Sequence, residues 1–145
     1  MRVDGLAELQ RSLRDMDRSL LPVLRAANKS VATEVAQDAK SRALGIEKGG
    51  QRLARAISAV AQQRSAGVQI RDWGNTRGAL GFEFGAGRDA IRDRVTGKYV
   101  GFRQFDDWAG HRGYALYPAV REAVPGLPEK YADALDPLLN RAFPD

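Results

Sequence analysis

The sequence contains no cysteine and a single histidine, His111. The first absence removes thiol nucleophiles, disulfides, zinc fingers and cysteine-held clusters, and it fits a reducing compartment. The second means that any imidazole-based triad must use one residue. No apolar run approaches the roughly 18 residues of a membrane span. The opening MRVDGLAELQ carries Asp4 and has no apolar h-region, so it does not read as a secretory signal. No G-x-S-x-G, H-E-x-x-H or P-loop pattern is present. Gly85-Ala86-Gly87 follows an extended run but lacks the third glycine of a nucleotide-binding turn.

What is present fits one domain of 145 residues with a core of its own. Hydrophobic residues make up 43%, charged residues 28%, and the mean hydropathy is −0.42, values of a soluble globular chain. The net charge of +5 is unevenly placed. Residues 1–65 carry 12 basic and 7 acidic side chains, and residues 66–145 carry 11 of each, so the whole excess lies in the first half. Arginine dominates, with 18 against 5 lysines. Its forked donors suit protein interfaces and phosphates alike. The surplus reads as a solvated helix face, with a face turned to nucleic acid as the alternative.

The spacing predicts an α+β chain, with long N-terminal helices packed on a small antiparallel β-sheet, a short helix and a C-terminal helix. Four stretches divide it: a helical part over 1–44, a loop and short helix over 45–67, a sheet over 68–116 and helices over 117–143. Leu6, Leu9, Leu13, Met16 and Leu20 recur at spacings of three and four, the rhythm of a packed helix. Pro22 is expected to interrupt it and open a second helix over 21–44. There Leu24, Ala27, Val31, Val35 and Ala39 form the core stripe, with Ala32, Ala36 and Ala43 beside them. Gly45 supplies a stop. Leu53, Ile57 and Val60 predict a short helix over 51–63. Val68–Arg71 and Ala79–Phe84 alternate apolar and polar, and are expected to pair as a hairpin, with Leu80, Phe82 and Phe84 facing the core. Trp73 is also expected in the core. A third strand is expected over Tyr99–Phe105. The final helix carries a stripe of Tyr131, Leu135, Leu138 and Ala142.

Two clusters could carry function. Asp106, Asp107 and His111 hold the atoms of a divalent-metal or acid–base site. Their spacing fits no metal motif, and a solvated loop explains them as well. The segment 85–113 is rich in glycine, with six basic and four acidic residues. Within it and just after it, Arg103, Phe105, Trp108, Arg112 and Tyr114 are candidate anchors. Aromatics and arginines stack on bases, but they also dominate protein–protein hot spots. The weak net charge favours the second use. No cofactor or metal site is assigned.

Several short motifs resemble one family. Gly50-Gln51-Arg52-Leu53-Ala54-Arg55-Ala56-Ile57 resembles the G-R-L-x-x-S-I segment of the head–tail joining, or tail-completion, neck proteins of long-tailed double-stranded DNA phages. Phe82-Glu83-Phe84-Gly85 is similar to their F-x-E-F-G signature, and Leu116-Tyr117-Pro118-Ala119-Val120-Arg121 to their late aromatic–proline segment. Gly5-Leu6-Ala7-Glu8-Leu9, leading into a long alanine-rich helix, also fits. Arg103-Gln104-Phe105, Trp108, Gly110 and Gly113-Tyr114 resemble the version in phages of actinobacteria. Ala56 stands where serine is usual, and 86–112 is longer than expected.

The resemblance implies a non-catalytic virion protein. It would form a homo-oligomeric ring at the neck, contact neighbouring neck and tail proteins, and surround passing double-stranded DNA without reading its sequence. It would act in the host cytoplasm during assembly, with no membrane or small-molecule partner. The rival expectation from charge alone is a sequence-tolerant nucleic-acid-binding protein.

Overall fold

The computed structural model describes residues 6–62, 65–86, 91–92, 99–100, 105–106, 109 and 112–143. The chain is α+β: among the described residues five α-helices dominate, with two small two-stranded antiparallel sheets. The spine is α1, Leu6–Leu44, a single helix of 39 residues. It does not break at Pro22, contrary to the expectation from sequence. A proline inside a helix removes its own N–H and leaves the carbonyl four residues earlier without a partner. Here that carbonyl belongs to Arg18, and both Arg18 and Pro22 are exposed, so water is at hand to solvate it. The same reasoning covers Pro137, exposed inside α5, Leu127–Ala142.

The second half of α1 makes the core. Ala32, Ala36, Ala39 and Ala43 are all at most 4% exposed. Their missing side-chain bulk lets the next elements approach the helix backbone. Gly45 ends α1 as expected. A left-handed Gly49 then starts α2, Gly50–Ala56. A Cβ on Gly50 would lie 2.2 Å from the carbonyl oxygen of Ala43, so only glycine admits this contact.

Leu53 and Ile57 are buried, but Ile57 is already extended. The expected helix over 51–63 therefore ends at Ala56, and Ile57–Ala61 is strand β1. It pairs antiparallel with β2, Ala66–Ile70, matching Ile57 with Ile70 and Ala61 with Ala66. The hairpin is closed at its base by the Arg71 N–H to the Ala56 carbonyl, and at its tip by the Gln62 N–H to the Ser65 carbonyl.

The strand expected over 79–84 is the helix α3, Ala79–Phe84, so the hairpin of 68–71 with 79–84 does not exist. Ala79, Phe82 and Glu83 are buried while Leu80 is 45% exposed, which is helical periodicity. Of the expected core, Val31 and Phe82 are buried, whereas Leu24, Val35, Phe84 and Leu135 are half-buried. Leu80 and Trp73 are exposed, the latter at 71%. Val31 and Val35 line a groove with Val68 and Val120, and Val35 also packs against the core cluster that contains Phe82.

Two short strands, β3 (Ile91–Arg92) and β4 (Tyr99–Val100), pair antiparallel. Phe105 lies in a bend, and residues 101–104 of the expected third strand fall outside the described residues. The chain closes with α4, Leu116–Ala123, a 3-10 turn at Val124–Gly126, and α5. Both helices pack on α1.

Candidate assembly interface

Two acidic side chains build the junction at the centre of the molecule. Asp72 accepts hydrogen bonds from the backbone N–H groups of Gly78 and Ala79, the second at 3.1 Å. It thereby caps α3 from six residues upstream, where left-handed Gly78 offers no side chain. Thr76 steadies the turn between them, its hydroxyl donating to the carbonyls of Arg71 and Trp73 at 2.6 and 2.9 Å.

Glu83 does the same for α4 across a much longer stretch of chain. Its side chain is fully buried. It accepts the N–H groups of Ala115 and Leu116 on one oxygen, at 3.2 and 3.0 Å, and that of Tyr117 on the other, at 3.0 Å. The first turn of a helix has donors with no partner in the helix, and its dipole favours an anion there. A buried carboxylate is tolerated because its oxygens are occupied in this way. The Glu83 carbonyl also accepts the N–H of Tyr114 at 2.8 Å. Gly113 makes room: a Cβ there would lie 2.3 Å from a Glu83 carboxylate oxygen.

Aromatic contacts complete the junction. Phe82 meets Phe105 edge to face, with ring centroids 4.8 Å apart. Phe84 meets Tyr117 in the same way at 5.2 Å. The Arg52 guanidinium lies 5.8 Å from the Phe82 ring centre. Gly49 and Gly81 give these rings space, since Cβ atoms there would lie 2.1 Å from Phe82 and 2.5 Å from Phe105.

The candidate anchors therefore divide. Phe105 packs against Phe82 of the same chain instead of standing free. Tyr114 is half-buried and tied by its backbone to Glu83, while Arg112 is exposed. Arg103 and Trp108 lie outside the described residues, as do Asp107 and His111 of the acid–imidazole cluster. Asp106 is half-buried, and its carbonyl accepts the N–H of Ala86 at 3.0 Å. The Ala109 N–H donates to Phe84 at 2.8 Å. Ala86 and Asp106 thus lie beside each other, with the β3–β4 pair between them in the sequence. Among the described residues, no group of three His, Asp or Glu side chains is placed to hold a metal.

Sequence reasoning missed Asn28, whose side chain is buried in α1. Its amide donates to the Gln62 carbonyl at 2.9 Å, and its oxygen accepts the Tyr131 hydroxyl at 2.6 Å. One side chain thus joins α1, the hairpin tip and α5. Its only sequence signal was a polar residue one place along from the apolar stripe. Ion pairs reinforce the same docking: Arg42 with Glu122, and Lys130 with Glu34. Arg42 also bonds Asp38 at 2.9 Å. Its hydrogen bonds to Asp38 and then Glu122 raise its pKa further above the ordinary arginine value.

Beside Asn28 lies an apolar groove of about 480 Å³, walled by Leu24, Val31, Val68, Val124, Leu127 and Tyr131. Val120 and Val124 at its rim are 40% and 53% exposed. Strand β2 borders it and pairs only with β1 among the described strands. No described helix is long and apolar enough to cross a membrane. The chain matches no family model, no curated protein and no solved structure.

Proposed function

We propose that this chain is a structural subunit of the joint between head and tail of a long-tailed double-stranded DNA phage. Copies would assemble side by side as a ring around the DNA channel, and the role would be non-catalytic. The observation that carries the reading is the convergence of the motif segments. Arg52, Phe82–Phe84, Phe105 and Gly113–Tyr117 are scattered over 66 positions, yet they meet in one junction. Residues that resemble a family at widely spaced positions support membership best when they hold one another in place. The apolar groove beside strand β2 and the exposed apolar rim of α4 add surface of the kind that subunits cover on assembly.

The test is assembly itself. A phage with this reading frame interrupted should accumulate DNA-filled heads and free tails, and supplying the chain in trans should restore joined particles. Electron microscopy of the joint should then show the chain as a ring. Normal particle yield without the chain overturns the reading.

A further inference from the structure

Arg11, Arg14, Arg18, Arg25 and Lys29 recur along the first half of α1 at spacings of 3, 4, 7 and 4. At about 100° per residue they fall within an arc of roughly 60°, and they extend over about 27 Å of helix. All five are exposed. None forms an ion pair with another described residue. Asp15 is the one described carboxylate near them, at the edge of the arc. Helix α5 packs beside this half of α1 near residues 15–19, where Asp15, Met16, Arg18 and Ser19 line a pocket with Leu138, Arg141 and Ala142.

We infer that this stripe is a binding surface for the phosphate backbone of duplex DNA. A row of cations that form no ion pair with a described residue offers charge to a ligand, and four of the five are arginines, whose forks match phosphate oxygens. A duplex carries one negative charge per roughly 1.7 Å of axis, so it offers partners along the whole stripe. Two other polyanions fit less well. A membrane-surface helix needs a broad apolar face beside its basic one, and here Leu21 is the one exposed leucine described beside the stripe, while Met16 on the other side lies near α5. A second copy of the chain offers Glu129, Asp133 and Asp136 on the exposed side of α5. Those are three carboxylates over about 10 Å, too few and too short for the row. The inference rests on the ring reading for its setting, as the surface a subunit turns to the DNA, but the binding it describes needs no assembly.

The test is fluorescence anisotropy of the full chain with labelled duplexes of unrelated sequence, between 50 and 200 mM salt. If all five cations engage, affinity falls by up to about 500-fold over that range. The triple variant Arg14→Ala/Arg18→Ala/Arg25→Ala should lose only about 12-fold over the same range, having about two phosphate contacts left. It should also bind more weakly than the native chain at 50 mM. A charge-matched control, Arg55→Ala/Arg71→Ala/Arg121→Ala, should keep the native salt slope. Equal effects in both variants overturn the inference, because bulk charge alone would explain them. Absence of duplex binding at 50 mM overturns it too. So does a salt-sensitive self-association, without DNA, that only the stripe variant abolishes, since the face would then belong to a second copy. A chain that forms rings at the joint but ignores duplexes sinks this inference alone. Duplex binding by a chain the phage does not need for joining sinks the ring reading and leaves the stripe.

Discussion

Replacing Glu83 with alanine would remove the two carboxylate oxygens that accept three N–H groups at the start of α4, from a side chain with no exposed surface. Hydrogen bonds to a charged group contribute about 1.5–3 kcal/mol each, and the loss of an ordinary N-cap costs about 0.5–2 kcal/mol. Three bonds do not add fully, because they share one carboxylate and the Tyr117 side can recover some water. Breaking one side of a buried charged cluster typically costs about 3–5 kcal/mol, and that is the expected loss here. For a chain of 145 residues this lowers the melting temperature by about 10–20 °C. Glu83→Gln keeps the shape but turns an NH2 group toward backbone donors, so it should lose about half as much. Thermal and urea unfolding measure both variants. Amide exchange at residues 115–117 should accelerate more than exchange in α1. A drop below about 3 °C for Glu83→Ala would refute the reasoning, since the three N–H groups would then have found other partners.

Phe82→Ala should cost about 3–5 kcal/mol in urea unfolding, because the ring is 6% exposed, whereas Leu80→Ala, at 45% exposure, should cost under about 1 kcal/mol. Gly81→Ala reverses the usual helix preference: alanine is normally better by about 0.5–1 kcal/mol in a helix, but this Cβ meets the Phe105 ring, so a net loss of about 1–3 kcal/mol is expected. Gly81→Ala should recover stability when combined with Phe105→Leu, and a stabilised single variant would disprove the contact. Tyr131→Phe should cost about 1 kcal/mol by leaving the Asn28 oxygen without its hydroxyl donor, read as a shift of the urea midpoint. Excision of 87–104 with a short glycine bridge should leave the melting temperature nearly unchanged and block joining of heads to tails. Removing 86–112 entire should destabilise the body as well, because Phe105 goes with it.

Particular residues show how far the fold could be read from sequence. The apolar and alanine spacing of α1, its stop at Gly45 and the Tyr131–Leu138 stripe of α5 were legible because long helices repeat their signal over many turns. Pro22 misled because its cost depends on whether water reaches the Arg18 carbonyl, which no local pattern encodes. Ile57–Ala61 continued the helical spacing of Leu53, and only pairing with 66–70 makes it a strand. In 79–84, Leu80, Phe82 and Phe84 mimic a strand. The helical pattern appears only once Glu83 is counted as buried, and a charge normally signals the opposite. The site divides the same way. Phe105, Glu83 and Tyr117 stood out as motif residues, but their mutual contacts are tertiary. The basic stripe of α1 could be read as a solvated face from sequence; the packing of α5 beside it could not.

The clasp of Glu83 on residues 115–117 has a consequence for how this protein can change. It fixes both ends of the intervening chain to the body, with Ala86 and Asp106 held beside each other. The segment between them therefore closes a loop whose two ends are already held together. Loop-closure entropy grows only with the logarithm of length, so doubling such a segment costs on the order of 0.6 kcal/mol. That is a small fraction of what the clasp supplies. Changes in the length of that loop therefore leave the geometry of the junction at its ends in place.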